Sequence, residues 1–491
     1  MKRALVAALA SAVAWIPALA AAAPTAAPAP YDKSGIADWT KAPPPAAEPT
    51  FTPPVAKRLK LANGMAVLVI ENHKLPIVAL RLLVPDAGAA QDPKGKAGLA
   101  AFTADLLDVG AGGLSALAIA EEEDRLGASI STFAGTDAGG VSVSALTKTL
   151  EPTLALVAKI VMQPTFDAKE FERVKGDRAT SLALRSDRPR EVVSIVLNAA
   201  IYGAGTAYGH PASGERDDVK AIAVADAVAF YKEHWNPAAM TLVVSGDVDA
   251  TALAAKLDAT FGAWKVTGKP PAKAQVAPAK ATHRLLLADR PGAAQSDVRI
   301  GLAGLDRKDR RYYAFEVMST TLGGGFTSRL VQRLREQLGI TYGIGAGMEW
   351  RVQGGVFGIS SAIVTKETGH GVAEVIKLVD DMAATDVSAE ELEKSKQNLI
   401  RALPAQFETN ASVAGSFAEL ALYGLPDDWY ARYADNVRKV TAKDVRAAAK
   451  LIPSTKMIVA VVGDMSKVRA DLDKLNLGDP ELHDLFGALV K

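Results

Sequence analysis

DRLGASI, Asp124 to Ile130, and EQLGITY, Glu336 to Tyr342, are two renderings of one phrase: a charged helix end, a Leu-Gly stop and the start of a strand. Three further pairs keep the same order. GGVSVSA (Gly139 to Ala145) parallels GGVFGIS (Gly354 to Ser360), KEFERVK (Lys169 to Lys175) parallels EELEKSK (Glu390 to Lys396), and VVSGDV (Val243 to Val248) parallels VVGDM (Val461 to Met465). The offset is about 215 residues each time. Chance similarities between short segments would not keep their order, so the chain carries a duplicated domain.

Within each half, MAVLVIE (Met65 to Glu71) and GVFGISSAIV (Gly355 to Val364) read as alternating strands. LEPTLALVAKIV (Leu150 to Val161) and GVAEVIKLVDDMA (Gly371 to Ala383) have the longer period of helices. Strands and helices mix without strict βαβ alternation, which predicts an α+β fold: two homologous domains of mixed sheet covered by helices. The expected boundaries are 55–267 and 282–470, with a C-terminal tail at 471–491. Residues 268–281, rich in Pro, Ala and Lys, form the linker, so a hinged, clamshell-like, two-lobed molecule is expected.

Composition narrows the function. With 56 Lys+Arg against 55 Asp+Glu, the net charge of +1 gives no broad field for nucleic acid or anionic membranes. The absence of Cys removes disulfides, thiolate zinc sites, Fe–S clusters and thiol nucleophiles. Lys2 and Arg3 precede an Ala-rich apolar run with a small-residue end, which reads as a signal peptide at 1–23. The Pro- and Ala-rich stretch 24–54 reads as a tether. The expected product is exported and, in a Gram-negative cell, periplasmic, with no stable membrane insertion after cleavage.

Two segments, FYKEHWNPAAMTLVVSGDV (Phe230 to Val248) and GGGFTSRLVQRLREQLGITYGIGA (Gly323 to Ala346), resemble the pitrilysin/insulysin family of inverted-motif zinc peptidases. The likeness is to its shorter branch, which includes the mitochondrial processing peptidases and the core proteins of the cytochrome b-c complex. The family's metal helix carries H-x-x-E-H, two imidazoles and a base on one face. The corresponding helix here, Gly98 to Gly113, has Ala101, Ala104 and Asp105 at those positions. The family's third ligand is a Glu expected within Arg173 to Arg190, which contains none. The six histidines, His73, His210, His234, His283, His370 and His483, form no metal pair at helical spacing, and His210 and His234 read as turn residues. No metal site is expected in this chain.

The resemblance also implies an Arg and a Tyr seven residues apart that reach the substrate. Arg335 and Tyr342 stand at that spacing. A guanidinium offers several donors to peptide carbonyls, and a phenol can donate to a developing oxyanion. Gly323, Gly324 and Gly325 resemble the glycine loop of non-catalytic processing-peptidase subunits; they read equally as a tight turn into a helix capped by Thr327 or Ser328. Arg329 reads as a packing or ion-pair residue, the acidic run Glu121 to Asp124 as a solvated face, and Asp105 and Asp108 as solvent-facing beside a buried stripe of Leu99, Phe102, Leu106 and Leu107.

The resemblance therefore implies a non-catalytic, substrate-binding subunit, with no peptide hydrolysis by this chain alone. A homologous partner bearing H-x-x-E-H would hold the zinc, and the substrate would be an unfolded peptide. The alternatives are an inert structural or interaction protein of the same fold, and an independent peptide-binding protein.

Overall fold

Residues 51–265, 274–279 and 284–490 are described by a computed structural model, and those after Phe51 form one unit. The signal peptide, nearly all of the tether, part of the linker and His283 lie outside the described residues. The first half runs β1 (Lys57–Lys60), β2 (Ala66–Glu71), β3 (Ile77–Pro85), α1 (Leu99–Asp105), a small hairpin β4 (Gly110–Ala111) and β5 (Leu114–Ser115), then α2 (Ala116–Leu126), β6 (Ser129–Ala134) and β7 (Ala138–Leu146). It continues through α3 (Leu150–Met162), α4 (Ala168–Ala183), α5 (Pro189–Tyr202), α6 (Arg216–Ala221), α7 (Val224–His234), β8 (Thr241–Gly246) and α8 (Ala250–Phe261).

The second half repeats the plan. It has β9 (Leu285–Asp289), β10 (Gln295–Ala303), α9 (Tyr312–Gly323), a π-helical turn (Val331–Gln337), β11 (Thr341–Trp350) and β12 (Gly355–Val364). Then come α10 (Thr368–Ala384), α11 (Ala389–Ala402), α12 (Asn410–Tyr423), α13 (Trp429–Lys439), α14 (Ala442–Ala449), β13 (Ile458–Gly463), α15 (Met465–Asp473) and β14 (Glu481–His483).

The duplication is visible in the sheets. One has the order β1-β2-β8-β3-β7-β6, the other β11-β12-β10-β13-β9-β14. Read from the opposite end, the second repeats the first strand for strand, apart from its outermost member. That member, β1, is antiparallel to β2, whereas β14 is parallel to β9. The repeated Leu-Gly phrase has one physical cause in both halves: Gly127 and Gly339 take left-handed φ of 60° and 64°, which ends a helix and turns the chain into an edge strand.

The expected alternation in Met65 to Glu71 does not appear, since Val67 to Ile70 are all buried. The reason is a helix exchange. α5, from the first half, packs on β10 and β13 of the second sheet, and α12, from the second half, packs on β3 and β8 of the first. Each sheet is thus covered on both faces, so its central strands are apolar throughout. Leu68, Ile70 and Val243 face Val413, Ala414 and Phe417 in one core; Val67, Val69 and Val244 belong to the other.

Polar contacts reinforce the exchange. Asn410 of α12 donates from Nδ2 to the Ile77 carbonyl at 2.9 Å, and Tyr202 of α5 donates to the Gly355 carbonyl at 2.7 Å while accepting from Gly355 N at 3.2 Å. The described linker residues 274–279 make contacts of their own: Gln353 accepts from Val276 N, and Ala279 N donates to the Ile201 carbonyl at 2.7 Å. The halves are therefore two lobes as expected, but parting them requires withdrawing α5 and α12 from the sheets.

Candidate functional site

The helix that the resemblance sets against the family's metal helix is α1. Asp92 caps it, accepting from Gly98 N and Ala100 N, each at 2.7 Å. His210 holds Asp92 in turn, through Nε2 at 3.2 Å, and its Nδ1 faces the Thr206 carbonyl at 2.6 Å. His210 is thus the turn residue expected, with a second task at the helix start. Burial opposes its charge, yet the Asp92 carboxylate raises its pKa above the ordinary value. His234 is buried, stacked on Phe230 at 4.1 Å, and its pKa is lowered by that burial.

Leu99, Phe102, Leu106 and Leu107 form the buried stripe as expected. Ala104 is buried and Ala101 half-buried, so at two of the three motif positions only a methyl group is present. Asp105 forms an ion pair with Arg178 of α4, whose Nη1 also donates to the Ser213 carbonyl at 3.1 Å. These residues do not fit zinc. Methyl groups have no lone pair, and the one carboxylate is already neutralised by a guanidinium that would repel a dication. A cleft of about 410 Å³ beside the pair is lined by Asp105, Arg173, Asp177, Arg178 and Ser213. Arg178 stands in the stretch Arg173 to Arg190, where the resemblance implies a Glu ligand and none occurs.

Asp108 corrects the sequence reading. It is half-buried, not solvent-facing, and burial together with the nearby Asp105 and Glu123 carboxylates pushes its pKa up to about 6 against the Thr132 hydrogen bond. The acidic run is mostly a solvated face: Glu121 and Asp124 are exposed and Glu122 pairs with Arg125. Glu123 does more, accepting from Ile130 N at 2.9 Å and so tying α2 to β6.

Arg335 and Tyr342 come together at the start of β11. The Arg335 guanidinium lies 5.2 Å from the Tyr342 ring centroid and 5.0 Å from that of Phe326. Tyr342 is 86% exposed and Phe326 73% exposed. Glu336 is the carboxylate partner of Arg335, at 3.4 Å. Two irregularities create this cluster. Val331 to Gln337 is wound as a π-helix, with Leu338 N donating to the Arg333 carbonyl five residues back. The β11–β12 register then slips between Thr341 and Ile344, which leaves both Tyr342 and Gly343 outside. The family resemblance pointed to the pair in the sequence; Phe326 escaped it because only the fold brings that ring alongside.

The expected cap is absent. Ser328 precedes the first helical residue, Arg329, but its hydroxyl makes no capping bond and is buried without a partner among the described residues. The glycines are set by close approach, since none of Gly323, Gly324 and Gly325 has positive φ. A Cβ on Gly323 would stand 2.5 Å from Ala346 N and 2.6 Å from Ala346 Cβ, so α9 could not end against β11 with any larger residue. Gly325 faces a polar cleft of about 190 Å³, shared with Thr321, Thr327, Ser328, Ser395 and Asn398. Arg329 is the ion-pair residue expected: it holds Glu391 of α11 at 2.7 Å and pulls that carboxyl down to about 2.

Residues 66–211 match the family described as Insulinase (Peptidase family M16), and residues 221–399 match Peptidase M16 inactive domain. The chain belongs to peptidase family M16. An uncharacterized zinc protease of Mycobacterium tuberculosis is 25% identical over 428 residues, covering 84% of this chain and 94% of its own. The solved peptidase M16 inactive domain from Pseudomonas fluorescens matches this M16 chain with a TM-score of 0.78 at 26% identity, over 83% of this chain and 98% of that one. The periplasmic protease PqqL from Escherichia coli shares the fold, with a TM-score of 0.71 at 17% identity; there 85% of this chain corresponds to 46% of that longer chain.

Proposed function

We propose that this M16 chain is the non-catalytic, substrate-binding subunit of a two-chain zinc peptidase. One observation carries the reading: a guanidinium and a phenol, Arg335 and Tyr342, stand together at the surface, while the helix that would carry the metal has no donor set. A homologous partner bearing H-x-x-E-H would hold the zinc and activate water. Arg335 would bind carbonyls of an unfolded peptide, the Tyr342 hydroxyl would stabilise charge developing on the scissile carbonyl, and the turn at Gly323, Gly324 and Gly325 would border the peptide. The relation to PqqL supports this, because a longer protein contains the same fold in less than half its length. The basic and apolar N-terminus supports export to the periplasm.

The test is to purify the tagged chain from its native host and assay the eluate for chelator-sensitive peptide cleavage. A co-eluting chain with H-x-x-E-H, and activity that neither chain has alone, is the expected result. In the assembled pair, Arg335→Ala with Tyr342→Phe should lower turnover about a hundredfold or more without loss of assembly. Elution alone with no activity, or unchanged turnover, would exclude this role and leave the scaffold and peptide-binding alternatives.

A further inference from the structure

Phe326 and Tyr342 are the two most exposed aromatic side chains of the described chain, and both lie against one guanidinium. The remaining described phenylalanines are buried or half-buried apart from Phe51, which is 37% exposed. A phenyl ring left 73% in water gains little from the fold at that position, since most of its apolar surface is still hydrated. Its placement is nonetheless fixed. Gln332 donates from Nε2 to the Phe326 carbonyl at 2.7 Å, and Ser328 N closes the turn onto the Gly325 carbonyl at 3.0 Å. The turn starts at Gly323, where α9 meets β11 too closely for a side chain. Arg335, on the π-turn, is thereby flanked by two rings from segments 16 residues apart, an arrangement that limits its rotamers before any peptide arrives.

We infer that Phe326 is a specificity-determining residue: its exposed ring forms the wall of a subsite for a bulky apolar side chain of an extended peptide, adjacent to the backbone position that Arg335 holds. The inference rests on the substrate-binding reading of Arg335 and Tyr342, and adds the substrate class to it. A peptide side chain such as Leu would remove the phenyl face from water, whereas Ser would not, so the preference comes from apolar area and not from charge. Arg335, which binds backbone, contributes equally to both peptides.

The experiment uses the full mature chain, with any partner that co-purifies, and two fluorescein-labelled unstructured decapeptides identical except for a central Leu or Ser. Fluorescence anisotropy should show Leu favoured by about tenfold. Phe326→Ser should collapse that ratio to near one, and Phe326→Leu should retain most of it. Arg335→Ala should weaken both peptides by the same factor and leave the ratio intact. Because the ring is exposed, Phe326→Ser should leave the thermal midpoint and circular dichroism unchanged. An unchanged Leu/Ser ratio in Phe326→Ser, no preference in the unsubstituted protein, or no binding of either peptide would overturn the inference. A ratio that follows Phe326 while Arg335→Ala with Tyr342→Phe leaves cleavage untouched would sink the subunit reading and keep the apolar subsite.

Discussion

Asp108 sits just past the end of α1, and its carboxyl titrates near 6 where an ordinary aspartate titrates near 3.8. Burial is the main cause, with Asp105 and Glu123 adding repulsion. The native state therefore holds its proton more tightly than the unfolded chain. Its contribution to stability is fully present below pH about 4 and is lost as pH rises through about 6. Asp108→Asn should stabilise the protein by about 1–2 kcal/mol at pH 7.5 and by almost nothing at pH 4, as read by urea unfolding at the two values. Equal effects at both would show that the carboxyl is not shifted. Neighbouring Asp105 has a different fate, neutralised by Arg178. That Ala101 and Ala104 supply neither the first ligand nor the base of the motif the resemblance implies was plain in the sequence, because an alanine carries no donor in any fold. The guanidinium that meets Asp105 was not, since Arg178 lies 73 residues away and only helix packing joins them.

At the scale of an element, the glycine turn, the π-turn and the slipped register of β11 act as one device that presents Phe326, Arg335 and Tyr342. Gly323→Ala should be a sensitive probe, because its Cβ would meet the backbone of β11 and not a flexible side chain. A loss of about 1–3 kcal/mol in unfolding free energy is expected, with weaker binding of both decapeptides as the turn shifts. Gly325→Ala is the comparison. Its Cβ would meet only the Asn398 amide, at 3.1 Å, which can move, so it should cost well under half as much. Equal costs would contradict the account of Gly323 as a packing glycine. The sequence showed a turn followed by a helix here, and both exist. That the helix is π-wound was invisible, because leucines and arginines at these spacings suit an α-helix equally well.

For the whole molecule, the exchange of α5 and α12 makes the two homologous halves one cooperative body. Cutting the linker with an engineered protease site between Pro270 and Pro271 should leave the halves co-eluting in size-exclusion chromatography, held by the buried faces of both helices and by the Tyr202 and Asn410 hydrogen bonds. Separation into two peaks under native conditions would mean that the exchanged helices contribute little. The repeated phrases and the balance of strands and helices were determined by the sequence itself, because each depends on residue type and local periodicity, while the absent zinc motif and the Arg335–Tyr342 pair were legible there only through the family resemblance. The tertiary structure alone decided which sheet each exchanged helix covers, why β2 is apolar on both faces, that Arg178 neutralises Asp105 and that Phe326 flanks Arg335. The first three depend on contacts between segments tens to hundreds of residues apart, and the fourth on how the turn and the π-helical segment fold the chain between Phe326 and Arg335, nine residues apart; local pattern carries no information about which surfaces meet.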